Sequence, residues 1–128
     1  MDIKLLKKNK VNVVFHFGSS LTGTVHPFSD IDIGVVFEDE TIRNKKPVDT
    51  YGDLYEVFCK AFNVENPDIV YLRDAPLSLQ FNAVYNGRII YSVSPLAVAD
   101  YKEEVMIKYF DFQYVENYFN NVLTGKSI

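Results

Sequence analysis

The sequence predicts an α+β domain, a mixed β-sheet flanked by helices with a long helix at its C-terminal end. Three observations carry that prediction. Two short runs rich in β-branched and aromatic residues, Val11–Phe17 and Ile31–Phe37, have strand character. Stretches of helical period then separate two further short apolar runs. Finally, a long uninterrupted segment after Pro95 carries apolar residues every three or four positions. Strands and helices that alternate in this way belong to the mixed classes.

Each element follows from local pattern. Val11 to Phe17 reads as a buried strand that Gly18 ends. In the second run Ile31, Ile33, Val35 and Phe37 alternate with Asp32, Gly34 and Val36, so the isoleucines face a core and Asp32 faces away from it. Arg43 to Pro47 is a polar turn. From Asp49 to Phe62 the residues Tyr51, Leu54, Tyr55, Phe58 and Phe62 recur at helical spacing, with Asp49 or Thr50 as N-cap. Asn63 to Pro67 breaks that helix, and Asp68 to Leu72 forms a third strand. Pro76 suits the first turn of a short helix with Leu77, Phe81 and Val84 on one side, and Asn86-Gly87 stops it. Arg88 to Tyr91 is a fourth strand. The closing helix runs from Pro95 to about Leu123, with an apolar stripe through Val98, Tyr101, Val105, Tyr109, Phe112, Val115, Phe119 and Val122. Met106, Phe110, Tyr114 and Tyr118 widen that stripe well beyond one face.

Composition bounds the rest. At 128 residues, 48% of them hydrophobic, the chain fits a single domain spanning 1–128 and is too apolar to be disordered. No run of apolar residues is long enough to cross a bilayer, and the lysine-bearing N-terminus has no signal-type apolar stretch behind it. Cys59 is the sole cysteine, which excludes an internal disulfide and a cysteine-based zinc cluster and makes the cytoplasm the default location. The net charge of -4 argues against a nucleic-acid binder, because such affinity comes from neutralising phosphates. The two basic clusters, Lys7-Lys8-Lys10 and Arg43-Lys45-Lys46, read as solvated ends or loops.

The chemistry concentrates between residues 18 and 35. Asp30 and Asp32 stand two apart at the mouth of a strand and project to the same side. Carboxylates held that close repel unless a cation compensates, and Mg²⁺ with its preference for hard oxygen ligands is the natural one. Taken alone, Asp-x-Asp is a weak signal, since an Asp at a strand end is usually a turn or capping residue. Upstream, Gly18 and Ser19 directly follow a strand, where free backbone N–H groups and a hydroxyl can receive a phosphate. A lone Gly-Ser pair is more often an ordinary tight turn, but a phosphate cradle followed closely by paired carboxylates describes a site for a nucleoside triphosphate with metal. Asp68 opens the third strand and points opposite to Ile69. It is the best candidate for a third carboxylate, and on local sequence alone it also reads as a turn aspartate after Pro67.

The pattern Gly18-Ser19-x3-Gly23-x5-Ser29-Asp30-x-Asp32-x2-Val35 resembles the signature of the polymerase-β-like nucleotidyltransferases, in particular their minimal nucleotidyltransferase (MNT) branch. The resemblance extends from about Val11 to Tyr91. It implies a mixed sheet flanked by helices, with Asp30, Asp32 and Asp68 as catalytic metal ligands for Mg²⁺. Asp68 would double as general base. Gly18, Ser19 and Ser29 would bind the nucleotide, ATP or another NTP. It also implies transfer of a nucleoside monophosphate to a hydroxyl with release of pyrophosphate, and a HEPN-domain protein as partner. Many relatives in this branch carry two arginines where this chain has Ser20 and Thr22, which removes two charge-assisted phosphate contacts.

The remaining reactive side chains point elsewhere. His16 reads as a half-buried strand residue, His26 as part of the loop before Ser29, and Cys59 as helix packing. The final helix is too broadly apolar for a domain this small to cover, which suggests an interface with a partner or a second copy. The sequence thus supports an antitoxin-type nucleotidyltransferase acting on a partner protein. The alternative is a catalytically weak module of the same fold that neutralises its partner by occlusion. A transferase for a small molecule is disfavoured, because no second domain is present to build its pocket.

Overall fold

The computed structural model describes residues 1–17 and 31–123. Among these, four strands form one sheet: β1 (Val11–Phe17), β2 (Ile31–Phe37), β3 (Pro67–Tyr71) and β4 (Arg88–Ser92), in the order β3-β2-β1-β4. β1 is antiparallel to both β2 and β4, whereas β2 and β3 run parallel. A parallel pair needs a crossover connection, and α2 (Glu40–Arg43) with α3 (Pro47–Phe62) supplies it. The mixed sheet is the architecture that the sequence predicts.

Both faces of the sheet are covered. On one face, α1 (Ile3–Lys8) and α3 bring Leu6, Leu54, Val57 and Phe58 against Val14, Ile33, Val35 and Phe37. On the other, α4 (Leu77–Asn86) and α5 (Pro95–Leu123) bring Ala83, Val84, Tyr101 and Val105 against Val13, Phe15, Phe17 and Val36. The alternation in β2 therefore separates two buried faces, and Val36 is as buried as Val35. Gly34 lies on the second face, where Leu72 fills the space that a side chain would take. A Cβ built at Gly34 would come within 2.7 Å of the Leu72 side chain.

Several boundaries differ from the sequence expectation. α1 is new: Asp2 caps it by accepting the Leu5 N–H at 3.2 Å, and Lys7 and Lys8 sit favourably in its last turn. With six residues and only Leu6 buried, it leaves no periodic trace in the sequence. α3 begins at Pro47, so neither Asp49 nor Thr50 is its N-cap; Lys46 occupies that position without a capping side chain. Proline is pre-set for the first helical position. Asn63 closes α3 in the left-handed conformation at φ 52°, which asparagine tolerates. Pro76 precedes α4 as its N-cap and is not part of its first turn. The short 3₁₀ turn Leu72–Asp74 takes the residue expected to end the third strand.

Arg43 is the clearest correction. The sequence places it in a solvated basic turn, but it ends α2 and is 8% exposed. Its guanidinium bonds Asp74, pairs with Glu40 at 3.3 Å and lies 4.5 Å from the ring centre of Tyr71. Nearby, Arg73 bonds the Phe37 carbonyl at 2.6 Å and reaches both Glu40 (3.1 Å) and Glu104 of α5 (3.1 Å). Tyr101 donates its buried hydroxyl to Gln80 Oε1 at 3.0 Å, and Gln80 in turn donates to the Ala75 carbonyl. These bonds fasten the first half of α5 to the domain.

Two glycine substitutions should part company. Gly34→Ala should destabilise the fold by about 1–3 kcal/mol in urea unfolding, because the buried Leu72 must be displaced. Gly52→Ala lies inside α3 with open space around it and should stabilise the fold by up to about 1 kcal/mol.

Candidate active site

The carboxylates meet at one end of the sheet. β2 and β3 both start there, and their parallel register sets Asp32 directly beside Asp68. Neighbouring strands lie about 4.8 Å apart, and residues at matched positions share a face. That face is the one covered by α4 and α5, because Ile33 and Ile69 turn toward α3. Asp32 is half-buried and Asp68 is exposed. Beside Asp32 on β1 stands Phe17, which is 3% exposed and supplies a dry wall. Pro67 opens β3 and is buried, anchoring the turn that delivers Asp68.

Phe17 and Ile31, which bracket residues 18–30, both lie at this same end of the sheet. The expected nucleotide-binding residues Gly18, Ser19 and Ser29, the expected metal ligand Asp30, the loop residues Gly23 and His26, and Ser20 and Thr22 all fall outside the described residues. Among the described residues, Asp32 and Asp68 are the two expected site residues that the fold brings together, and no group of three metal-binding side chains forms. Paired carboxylates on one face are hard oxygen donors whose mutual repulsion a divalent cation relieves, so the pair suits Mg²⁺.

His16 is partly buried, as expected, with its ring 5.6 Å from that of Phe62 on the α3 face. Its pKa lies below the ordinary 6.5. Burial is the main cause and the charge of Arg88 adds to it, while Asp32 pulls in the opposite direction. Arg88 opens β4 opposite His16 and is exposed at the same sheet end. The sequence reading does not single it out. Its signal is a cation placed directly after the Asn86-Gly87 helix stop. Gly87 itself is extended at φ −78°, so a left-handed turn is not what demands glycine there. A Cβ at Gly87 would sit 2.3 Å from the Ala83 carbonyl oxygen and 3.3 Å from that of His16. Glycine thus lets β4 start close against β1.

A family model described as polymerase beta, nucleotidyltransferase matches residues 3–95. The chain belongs to the polymerase-β nucleotidyltransferase family. Solved structures with the fold of this nucleotidyltransferase include a toxin–antitoxin with AMP-PNP, 25% identical over 95% of this chain and 94% of that one, at a TM-score of 0.63. A second is the toxin–antitoxin MntA-HepT, 22% identical over 95% and 92%, with a TM-score of 0.59. A third is a tri-AMPylated Shewanella oneidensis HEPN toxin in complex with MNT antitoxin, 22% identical over 95% and 92%, with a TM-score of 0.58. No curated protein sequence matches the chain. The fold of this nucleotidyltransferase is therefore that of the MNT antitoxins.

The charges around His16 give a direct test of the site's electrostatics. The folded protein holds His16 neutral more strongly than the unfolded chain does. Its contribution to stability is therefore constant above pH 6.5 and falls as the pH drops from 6.5 toward the folded pKa, because the unfolded chain takes up the proton first. In an NMR titration, with a His26→Asn variant to assign the signals, His16 should titrate below 6.5. Asp32→Asn should lower that value further, and Arg88→Gln should raise it.

Proposed function

We propose that this nucleotidyltransferase moves AMP from ATP onto a hydroxyl of a HEPN-domain partner protein, as the antitoxin half of a toxin–antitoxin pair in the cytoplasm. The observation that carries this reading is the pairing of Asp32 with Asp68 at the sheet end from which residues 18–30 depart. The solved toxin–antitoxin with AMP-PNP and the MNT antitoxin with its tri-AMPylated HEPN toxin support both the nucleotide and the partner. Family membership supports the reaction type.

In this reading Asp30, Asp32 and Asp68 would hold two Mg²⁺ ions, and Gly18, Ser19 and Ser29 would receive the triphosphate. Bound magnesium supplies positive charge to the attacking and leaving oxygens of an in-line displacement. Asp68 is the exposed member of the pair and therefore faces an incoming acceptor, whose hydroxyl proton it takes. The acceptor oxygen bonds to the α-phosphorus as the bond to the bridging oxygen breaks, and pyrophosphate leaves. Phe17 keeps water from the inner side of Asp32.

Incubation with α-labelled ATP, Mg²⁺ and the purified HEPN-domain protein should label that protein. Asp32→Asn or Asp68→Asn should lower the rate on the order of 100-fold or more, and chelation should abolish it. Labelling that survives Asp30→Asn combined with Asp32→Asn would sink the reading.

A second reading is favoured by Ser20 and Thr22, which stand where many relatives carry phosphate-contacting arginines. In that case the chain neutralises its partner by covering it. Asp30→Asn with Asp32→Asn would then leave neutralisation of the toxin intact in a growth assay, whereas the enzymatic reading expects it to be lost.

A further inference from the structure

α5 is two structures in one helix. Its first half is core: Tyr101 and Val105 are buried against the sheet, and Arg73 bonds Glu104. From residue 111 to residue 120 every position is exposed. At 1.5 Å per residue, the stretch from Phe110 to Leu123 extends about 20 Å.

The exposed half has a specific pattern. The seam of Tyr101 and Val105 continues at spacings of seven and then alternately three and four through Phe112, Val115, Phe119 and Val122, all about half exposed. A second row, Ile107, Phe110, Tyr114 and Tyr118, is 47–72% exposed. At about 100° per residue the two rows cover roughly 220° of the helix circumference, more than one neighbouring helix can occupy. The five aromatic rings, each with about 150–250 Å² of surface, offer on the order of 500 Å². The exposed aliphatic residues raise this toward the roughly 800 Å² per partner of a standard interface.

Charge selects the occupant. Asp111 and Glu116 flank the seam, and residues 109–123 contain no lysine or arginine. Lys108 just before them already pairs with Glu104 at 3.6 Å. Two copies packed along this seam would set acid beside acid, with no lysine or arginine between residues 109 and 123 to offset the repulsion. We infer that the distal half of α5, from Phe110 to Leu123, docks into an apolar groove between two helices of the acceptor protein, a groove rimmed with lysine or arginine facing Asp111 and Glu116. This inference rests on the partner reading of the proposed function. It adds where that partner is held, at a surface separate from the carboxylate pair.

The test measures binding of the intact chain to the purified HEPN-domain protein by calorimetry, with sedimentation of the chain alone. Phe112→Glu with Phe119→Glu should retain the wild-type circular dichroism and melting temperature and weaken binding at least 100-fold. Asp111→Lys with Glu116→Lys should weaken it about tenfold and flatten its dependence on salt. Asp32→Asn should bind unchanged, and the chain alone should sediment as a monomer. Full-affinity binding by the double glutamate variant overturns the inference. So does failure of the wild type to form any complex, or a dimer of the chain alone that the same variant dissolves. A complex that forms without label transfer defeats the enzymatic reading and leaves this one standing; label transfer by the double glutamate variant at wild-type affinity does the reverse.

Discussion

The parallel register between β2 and β3 is the constraint on which the rest of the molecule depends. It sets Asp32 beside Asp68 and, in the same step, Ile33 beside Ile69. A slip of one residue would turn β3 over, sending Ile69 out of the α3 core and Asp68 into it. Burial therefore enforces the alignment of the two carboxylates, because Ile33 and Ile69 beside them must reach the same apolar layer. The crossover through α2 and α3 that makes the pair parallel also builds the layer that the isoleucines need.

That layer is only half of the core. β1 and β2 are apolar on both faces, so the sheet is stable only when helices cover each side. The cover on the second face is shared between the short α4 and the first half of α5, and it is fixed by polar bonds as well as packing. Arg73 joins the end of β2, α2 and α5, and the Tyr101–Gln80–Ala75 chain ties α5 to the turn before α4. Tyr101 is buried deeply enough that its hydroxyl pKa is pushed well above the usual value, so it remains a donor at any physiological pH. With its first half held this firmly, α5 can carry its second half into solvent as a rigid extension.

Much of this was legible in the chain. The four strands, the two long helices and the short α4 fall within a residue or two of the positions that periodicity and breakers assign. Long, strongly patterned segments declare their period whatever surrounds them. α1 did not, because a six-residue helix with one buried side chain has no period to read. Arg43 was misplaced for a related reason. Its partners Asp74 and Tyr71 are about thirty residues away, and nothing local distinguishes a cation that will be buried from one that will be solvated. The candidate site divides in the same way. The spacing of Gly18, Ser19, Ser29, Asp30 and Asp32 was visible as a motif, whereas Arg88 was not, because its place beside His16 exists only across a strand pair.

By itself, then, the sequence determined the four strands and the longer helices, the family signature and the surplus of apolar surface in the last helix, since each is written in spacings of a few residues. Tertiary structure decided what stands next to what. It placed Asp68 against Asp32, buried Arg43 and lowered the pKa of His16. It also divided α5 into a half that serves the core and a half left exposed. The physical reason is that strand register, burial and charge pairing depend on contacts between residues distant in the chain, and those contacts exist only once the two apolar faces of the sheet have been closed.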